Sequence, residues 1–353
     1  MTTNQRQRST EFARNASLEQ LITELNSILE KAELEAVQAF VHPKYPPLFI
    51  VGCPRSGTTL LLQWLAASGA FGYPSNLISR FYKSPYIGAK IQQMLTDPAY
   101  QFRDEMDGIE SSESYLYRSE LGKTRGFLSP NEFWYFWRRF FRFQNTHRLN
   151  EEELRKVNAE ELQQEIAALE SVFDKPLVMK AMILNWNLSY LAQVFPDAIF
   201  LYIQRHPYFT IQSLLTARIK HSGRIDVWYS FKPPEYESIK NLDPYRQVAG
   251  QVYYTTRGVE NELRKISKKN QIWVTYEKFC QEPNALWDKL IEIYTQKGYL
   301  LPPYRGQKQF PNSNKIYLSE EDVQKIVHAY RELTGENISP ESLLGQEKRT
   351  VGL

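Results

Sequence analysis

The residues best placed to do chemistry lie in one short run, Gly52-Cys53-Pro54-Arg55-Ser56-Gly57-Thr58-Thr59. Two glycines in the frame Gly52-x-x-x-x-Gly57 let the backbone bend until successive N–H groups point at one spot. Such a loop, followed by the positive end of a helix, binds a phosphate or a sulfate. The frame is that of a nucleoside-triphosphate loop, but Thr58 stands where the lysine for the β- and γ-phosphates would be. The cation, Arg55, lies inside the loop instead. That suits a nucleotide without a γ-phosphate.

The elements that must position this loop read from the flanking residues. Residues 48–51 are an apolar run of the kind found in strands buried on both faces, and residues 58–68 form a helix that is apolar almost all round, with Gly69 at its C′ position. Further strands are expected at 176–180, 198–205 and 271–276, each followed by a helix. Pro207, Asp243-Pro244, Pro283 and Ser319 mark helix starts. The alternation implies an α/β fold, a three-layer sandwich around a mostly parallel sheet. Ahead of it, residues 1–46 hold a tail and an amphipathic helix, expected to start with a Ser17–Gln20 capping box and to run to about Phe40. Residues 47–353 read as one domain, interrupted at about 72–175 by a helical insertion over the mouth of the sheet, with a polar helix at 151–173.

In an open α/β sheet, ligands gather at the C-terminal ends of the strands. Three expected strands end in Lys180, Arg205 and Tyr276. A triphosphatase needs an aspartate there to hold Mg²⁺. Arg205 favours an anion held directly by protein cations, and Ser213 adds a hydroxyl donor farther along the same helix. A surface arginine beside a helix start is the plainer alternative.

The string Pro54-Arg55-Ser56-Gly57-Thr58-Thr59 after a buried strand resembles the 5′-phosphosulfate loop of sulfotransferases that use 3′-phosphoadenosine-5′-phosphosulfate (PAPS). Arg205-His206-Pro207 with Ser213 resembles the same family's 3′-phosphate motif, and Trp273 to Glu277 its strand whose tyrosine, here Tyr276, contacts adenine. Ser313, Asn314 and Lys315 lie where a basic loop closes over the 3′-phosphate, and Lys180 where a lysine approaches the transferred group. The resemblance covers about residues 47–69 and 176–320. It implies a P-loop-like fold and a metal-free enzyme that moves a sulfuryl group from PAPS to a small-molecule acceptor and releases 3′-phosphoadenosine-5′-phosphate (PAP). It further implies that Arg55 and Lys180 are catalytic, while Arg55, Ser56, Gly57, Thr58, Thr59, Arg205 and Ser213 bind the cofactor. Met182 departs from the pattern, since cytosolic members often carry a catalytic histidine there.

A substitute base has to come from elsewhere. A string found in bacterial members, here residues 130–137, offers Glu132. The competing reading makes Ser129, Pro130 and Glu132 the N-cap, N1 and N3 of a capping box. His147 and His221 are alternative bases. The aromatics between Phe127 and Phe143 are expected to be core, with a few rings lining an acceptor pocket. Five carboxylates at Asp104, Glu105, Asp107, Glu110 and Glu113 are either a solvated loop or a hint of a cationic acceptor.

Composition excludes more than it selects. A net charge of +3 argues for neither nucleic acid nor a membrane surface as partner. Two cysteines give no disulfide framework and no metal spacing, which suits a cytoplasmic protein. No signal peptide or membrane span is visible, and a homo-oligomer is possible. A tailoring step in bacterial secondary metabolism fits this profile. Two rivals remain: a P-loop kinase or ATPase with an altered loop, and a nucleotide-binding protein without turnover.

Overall fold

In the computed structural model, residues 8–103 and 116–340 are described. In chain order, α1 (Ala16–Val37) precedes β1 (Leu48–Val51) and α2 (Thr58–Ala67). Residues 72–175 then carry α3 (Pro85–Thr96), an antiparallel hairpin of β2 (Ser119–Glu120) and β3 (Lys123–Thr124), α4 (Trp134–Phe140), α5 (Glu151–Arg155) and α6 (Ala159–Phe173). The α/β alternation resumes with β4 (Val178–Lys180), α7 (Leu188–Val194), β5 (Ile199–Gln204), α8 (Pro207–Ser222), α9 (Tyr236–Ile239) and α10 (Pro244–Leu263). It ends with β6 (Gln271–Thr275), α11 (Tyr276–Gln281), α12 (Pro283–Gln296) and α13 (Glu320–Thr334).

The central sheet is parallel throughout, in the order β4-β1-β5-β6. In register, Ile50 of β1 lies between Lys180 and Leu201. The strands bury both faces. Phe49, Val51, Met179, Phe200 and Tyr202 point into a core shared with α4, α6, α7 and α10. Leu48, Ile50, Val178, Leu201 and Ile203 point the other way, against α2, α11 and α12. Each such side chain contributes about 1.5–3 kcal/mol on burial, so this double-sided core outweighs any surface ion pair. The crossovers leave the loop at 52–57 and the ends of β4 and β5 on one edge.

Four local expectations are corrected. The cap of α1 is Asn15, whose Oδ1 accepts from the Leu18 N–H at 3.0 Å, and not Ser17; the helix ends at Val37 and not Phe40. The helix expected over 151–173 breaks in two, because Asn158 caps α6 afresh. Tyr276 belongs to the first turn of α11 rather than to β6, since Thr275 caps that helix. The Ser129–Glu132 capping box does not form. Helix α4 starts at Trp134 after Phe133, which is left-handed at φ 55°, and the Ser129 hydroxyl donates back to the Arg125 carbonyl. The Phe133 ring is buried and stacked on Phe136 at 4.7 Å, and that packing offsets the cost of the left-handed backbone. Glu132 is thereby left outside the helix.

Candidate active site

Gly52 sits at φ +148°, where an added Cβ would lie 2.5 Å from the Ile203 carbonyl oxygen. Only glycine fits there. Its peptide is clamped by Asn185, which is fully buried: the Asn185 Nδ2 donates to the Gly52 carbonyl at 2.8 Å, and the Gly52 N–H donates to Asn185 Oδ1 at 3.3 Å. The Ser56 hydroxyl donates to the Cys53 carbonyl at 2.7 Å, so it closes the loop. Gly57 ends the loop at φ +95°, against the ring of Tyr276. No side chain caps the N-terminus of α2. Its first amides are therefore aimed at the groove as free donors.

Around that helix end stand three cations. Lys180, at the end of β4, donates from Nζ to Thr59 Oγ1 at 3.1 Å and to Glu132 Oε1. Arg55 is left-handed at φ 70°, and its Nε donates to Ser213 Oγ at 3.0 Å. Arg205 donates to the Arg55 carbonyl at 3.0 Å, to Asn314 Oδ1 at 2.8 Å and to Ser313 Oγ at 3.2 Å. Its guanidinium lies over the Tyr276 ring at 4.8 Å. Burial holds Arg205 below its usual pKa; Tyr276 and Glu277 oppose that shift, and Arg55 adds to it as a like charge. Two guanidinium groups pushed together in this way make a position for an anion.

Sequence reasoning paired Ser213 with Arg205, whereas the structure bonds it to Arg55. Tyr276 is buried, with its hydroxyl 2.8 Å from Ser313 Oγ and accepting from the Ser313 N–H at 3.1 Å. Asn314 Nδ2 donates to Glu277 Oε1 at 2.7 Å, and Lys315 is exposed, with its carbonyl accepting from Gln212.

From this cluster a groove of about 1990 Å³ runs under the insertion, past Thr59, Glu132, Trp134, Met182 and Tyr229. Glu132 lines it, with Oε2 accepting from Trp134 Nε1 while Oε1 takes Lys180. Gly122 of the hairpin presses against the same pair, since a Cβ there would lie 3.3 Å from Glu132 Oε1 and 3.5 Å from Thr59 Oγ1. His147 and His221 also line the groove. The His147 Nδ1 accepts from the Lys232 N–H at 3.1 Å, and His221 packs on Phe12 and Tyr229. Of the three candidate bases, Glu132 is the one bonded to Lys180. The acidic positions 104–113 lie outside the described residues.

Sequence reasoning missed Asn185 and Lys123. Asn185 lies in Asn185-Trp186-Asn187 after a strand end, where an amide has no periodic signature. Lys123 becomes part of the groove only because the hairpin folds it in.

Residues 46–294 match the model of the Sulfotransferase family. Among solved structures, the chain is similar to sulfotransferase STF9 from Mycobacterium avium, at 14% identity over 80% of this chain and 73% of that one, with a TM-score of 0.49. Sulfotransferase STF1 from Mycobacterium tuberculosis H37Rv matches at 15% identity over 89% and 76%, with a TM-score of 0.44. The sulfotransferase domain from the curacin biosynthetic pathway matches at 16% over 85% and 86%, with a TM-score of 0.38. No curated protein matches the chain significantly.

Proposed function

The chain belongs to the sulfotransferase family, and from that premise we propose that it transfers a sulfuryl group from PAPS to a hydroxyl or amine of a small-molecule acceptor, releasing PAP. The observation that carries this reading is the donor set: an uncapped helix N-terminus ringed by Lys180, Arg55 and Arg205, with Glu132 the carboxylate bonded into it. Such a set fits a nucleotide with two separate anionic groups bound without a bridging metal.

PAPS, when bound, supplies an activated sulfuryl group: its sulfur–oxygen bond to the phosphate breaks as the acceptor oxygen or nitrogen bonds to sulfur, and the electron pair stays on the phosphate. Lys180, Arg55 and the first amides of α2 are preorganised against the negative charge left there. Removing one such donor costs about 10²–10³ in kcat. Arg205 and Ser213 hold the 3′-phosphate, and the Arg55–Ser213 and Arg205–Arg55 bonds join that position to the loop. Ser313 and Tyr276 close beside Arg205. Glu132 takes the acceptor proton on its carboxylate, for which general-base catalysis typically gives about 10²–10⁴ in rate. Lys180 bonds to both Thr59 and Glu132 and so ties the loop to the base.

Both cysteines are buried and unpaired, which supports a reducing compartment such as the cytoplasm. Among the described residues no helix is long and apolar enough to cross a membrane.

The test is transfer itself. Protein incubated with sulfur-labelled PAPS and a mixture of phenol, alcohol and amine acceptors is expected to give labelled product and PAP in equal amounts. Transfer of the γ-phosphate from ATP in place of label from PAPS would contradict the proposal, and so would PAP binding with no turnover of any acceptor.

A further inference from the structure

The acceptor end of the groove carries charge that the reaction itself does not use. Arg8, Arg14, Arg80, Lys123 and Arg138 line it, against the carboxylates Glu19 and Glu132. Both carboxylates are committed: Glu19 pairs with Arg14 at 3.4 Å, and Glu132 pairs with Lys180. Among the described residues, Arg8, Arg80 and Lys123 have no carboxylate within ion-pair distance.

Lys123 is the most telling of these. Its cross-strand neighbour Glu120 would be the natural partner, but the Glu120 carboxylate turns to Lys220 at 3.2 Å. The Lys123 ammonium instead lies over the Phe12 ring at 5.3 Å. Burial and the like charge of Arg8 hold its pKa below the usual lysine value, and Glu132 opposes that shift. The Arg8 Nη1 donates to the Phe12 carbonyl at 3.4 Å, and the chain that follows it is anchored. The Ser9 N–H donates to the His221 carbonyl at 2.9 Å, the Ser9 hydroxyl donates to the Lys220 carbonyl at 2.8 Å, and Phe12 is buried. Two cations held together with no carboxylate of the described residues at ion-pair distance repel each other in the empty groove, and an anionic ligand removes that cost. A Cβ on the preceding residue, Gly122, would lie 3.3 Å from Glu132 Oε1, so the hairpin strand that carries Lys123 runs beside the carboxylate that would deprotonate the acceptor's nucleophile. The anion site of the cofactor is built separately, on the loop and the ends of β4 and β5.

We propose that the acceptor carries an anionic group, a carboxylate or a phosphoryl group, that binds against Lys123 and Arg8 while its hydroxyl or amine meets Glu132. This rests on the sulfotransferase reading and names the substrate class for that site. It runs opposite to the cationic acceptor that the carboxylates at 104–113 suggest. Residues 8–45, which supply Arg8 and Phe12, precede the segment matched by the family model, so the anion site is built partly from sequence outside that match.

Trp134 and Trp228 line the groove and report its occupancy. The experiment titrates PAP-loaded protein with 4-hydroxyphenylacetate, 4-hydroxyphenyl phosphate, the methyl ester of 4-hydroxyphenylacetate and tyramine, reading tryptophan fluorescence and heat. One or both anionic phenols should bind about tenfold or more tighter than the ester and tyramine, and comparing the two identifies which anion fits. Lys123→Gln should erase the preference and Lys123→Glu should invert it toward tyramine, with PAP affinity unchanged within twofold. Equal binding of all four ligands, preference for tyramine in the wild type, or no binding of any ligand to PAP-saturated protein overturns the anionic acceptor. Failure of PAP itself to bind the wild type overturns the sulfotransferase reading instead.

Discussion

Glu132→Gln separates catalysis from binding in a way that a structural role for Glu132 would not. The Lys180 side chain is 2% exposed and that of Glu132 27% exposed, so the pair is sheltered on one side and faces the groove on the other. Breaking a fully buried pair costs about 3–5 kcal/mol and an exposed one about 0–1 kcal/mol, which puts this one near 2 kcal/mol. The variant should therefore melt lower by about 3 °C, by the usual entropy scaling for a chain of 353 residues. The loss is not uniform along the reaction. Lys180 is held by Glu132, and an anion bound against α2 competes with that carboxylate for the ammonium. PAP should consequently bind Glu132→Gln about 5–30-fold tighter than wild type, the equivalent of 1–2 kcal/mol. Turnover should fall about 10²–10⁴-fold, because the acceptor proton has lost its base. Calorimetry with PAP and initial rates of PAP release with 4-hydroxyphenylacetate measure the two sides. Weaker PAP binding together with a kcat loss below tenfold would refute the reasoning and return Glu132 to a purely structural role.

Other perturbations follow from the same geometry. Gly57→Ala places a Cβ 2.4 Å from Tyr276 Cδ2 at φ +95°, so it should destabilise the fold by about 1–3 kcal/mol and weaken PAP binding by displacing Tyr276, both visible in melts with and without PAP. Arg55→Ala should lower kcat about 10²-fold or more with a smaller change in PAP affinity, and equal losses in both would remove its role at the leaving oxygen. Glu33, fully buried against the Tyr86 and Ile87 N–H groups, has its pKa raised to about 7 by burial, with those hydrogen bonds opposing. A carboxyl raised on folding stabilises the protein fully below the unfolded value and loses that contribution as pH rises through the folded one. The melting temperature should thus decline between about pH 5 and 7, and Glu33→Gln should lessen the decline in part, since Glu165 and Glu170 are raised to about 7 as well; an unchanged slope would show that Glu33 does not titrate in this range.

The parts of this account that were legible in the sequence rest on local physics. Residues 48–51 had to be a buried strand because no polar face exists, and the two glycines of the 52–57 loop announce backbone conformations that other residues avoid. Proline and Asp243 fixed helix starts at α8 and α10 because a missing N–H or a capping carboxylate acts within one turn. The failures are tertiary. The residues around Glu132 carry a sound capping signature, yet the burial of Phe133 against Phe136 decided the backbone and turned Glu132 toward Lys180. Ser213 follows Arg205 in sequence but meets Arg55, because the loop brings that side chain to the face of α8. Asn185 clamps Gly52 across 133 residues of chain, and nothing local to either residue signals it.

The central claim, that this donor set is built for a 3′-phosphorylated adenosine nucleotide, is tested most directly by calorimetric titration with PAP and, separately, with ATP plus Mg²⁺, each on wild type and on Arg205→Ala. PAP should bind tightly without added metal, at least tenfold more weakly to Arg205→Ala, and Mg-ATP should bind more weakly, with hardly any change on the substitution. A preference for Mg-ATP, or PAP binding indifferent to Arg205, would contradict that claim.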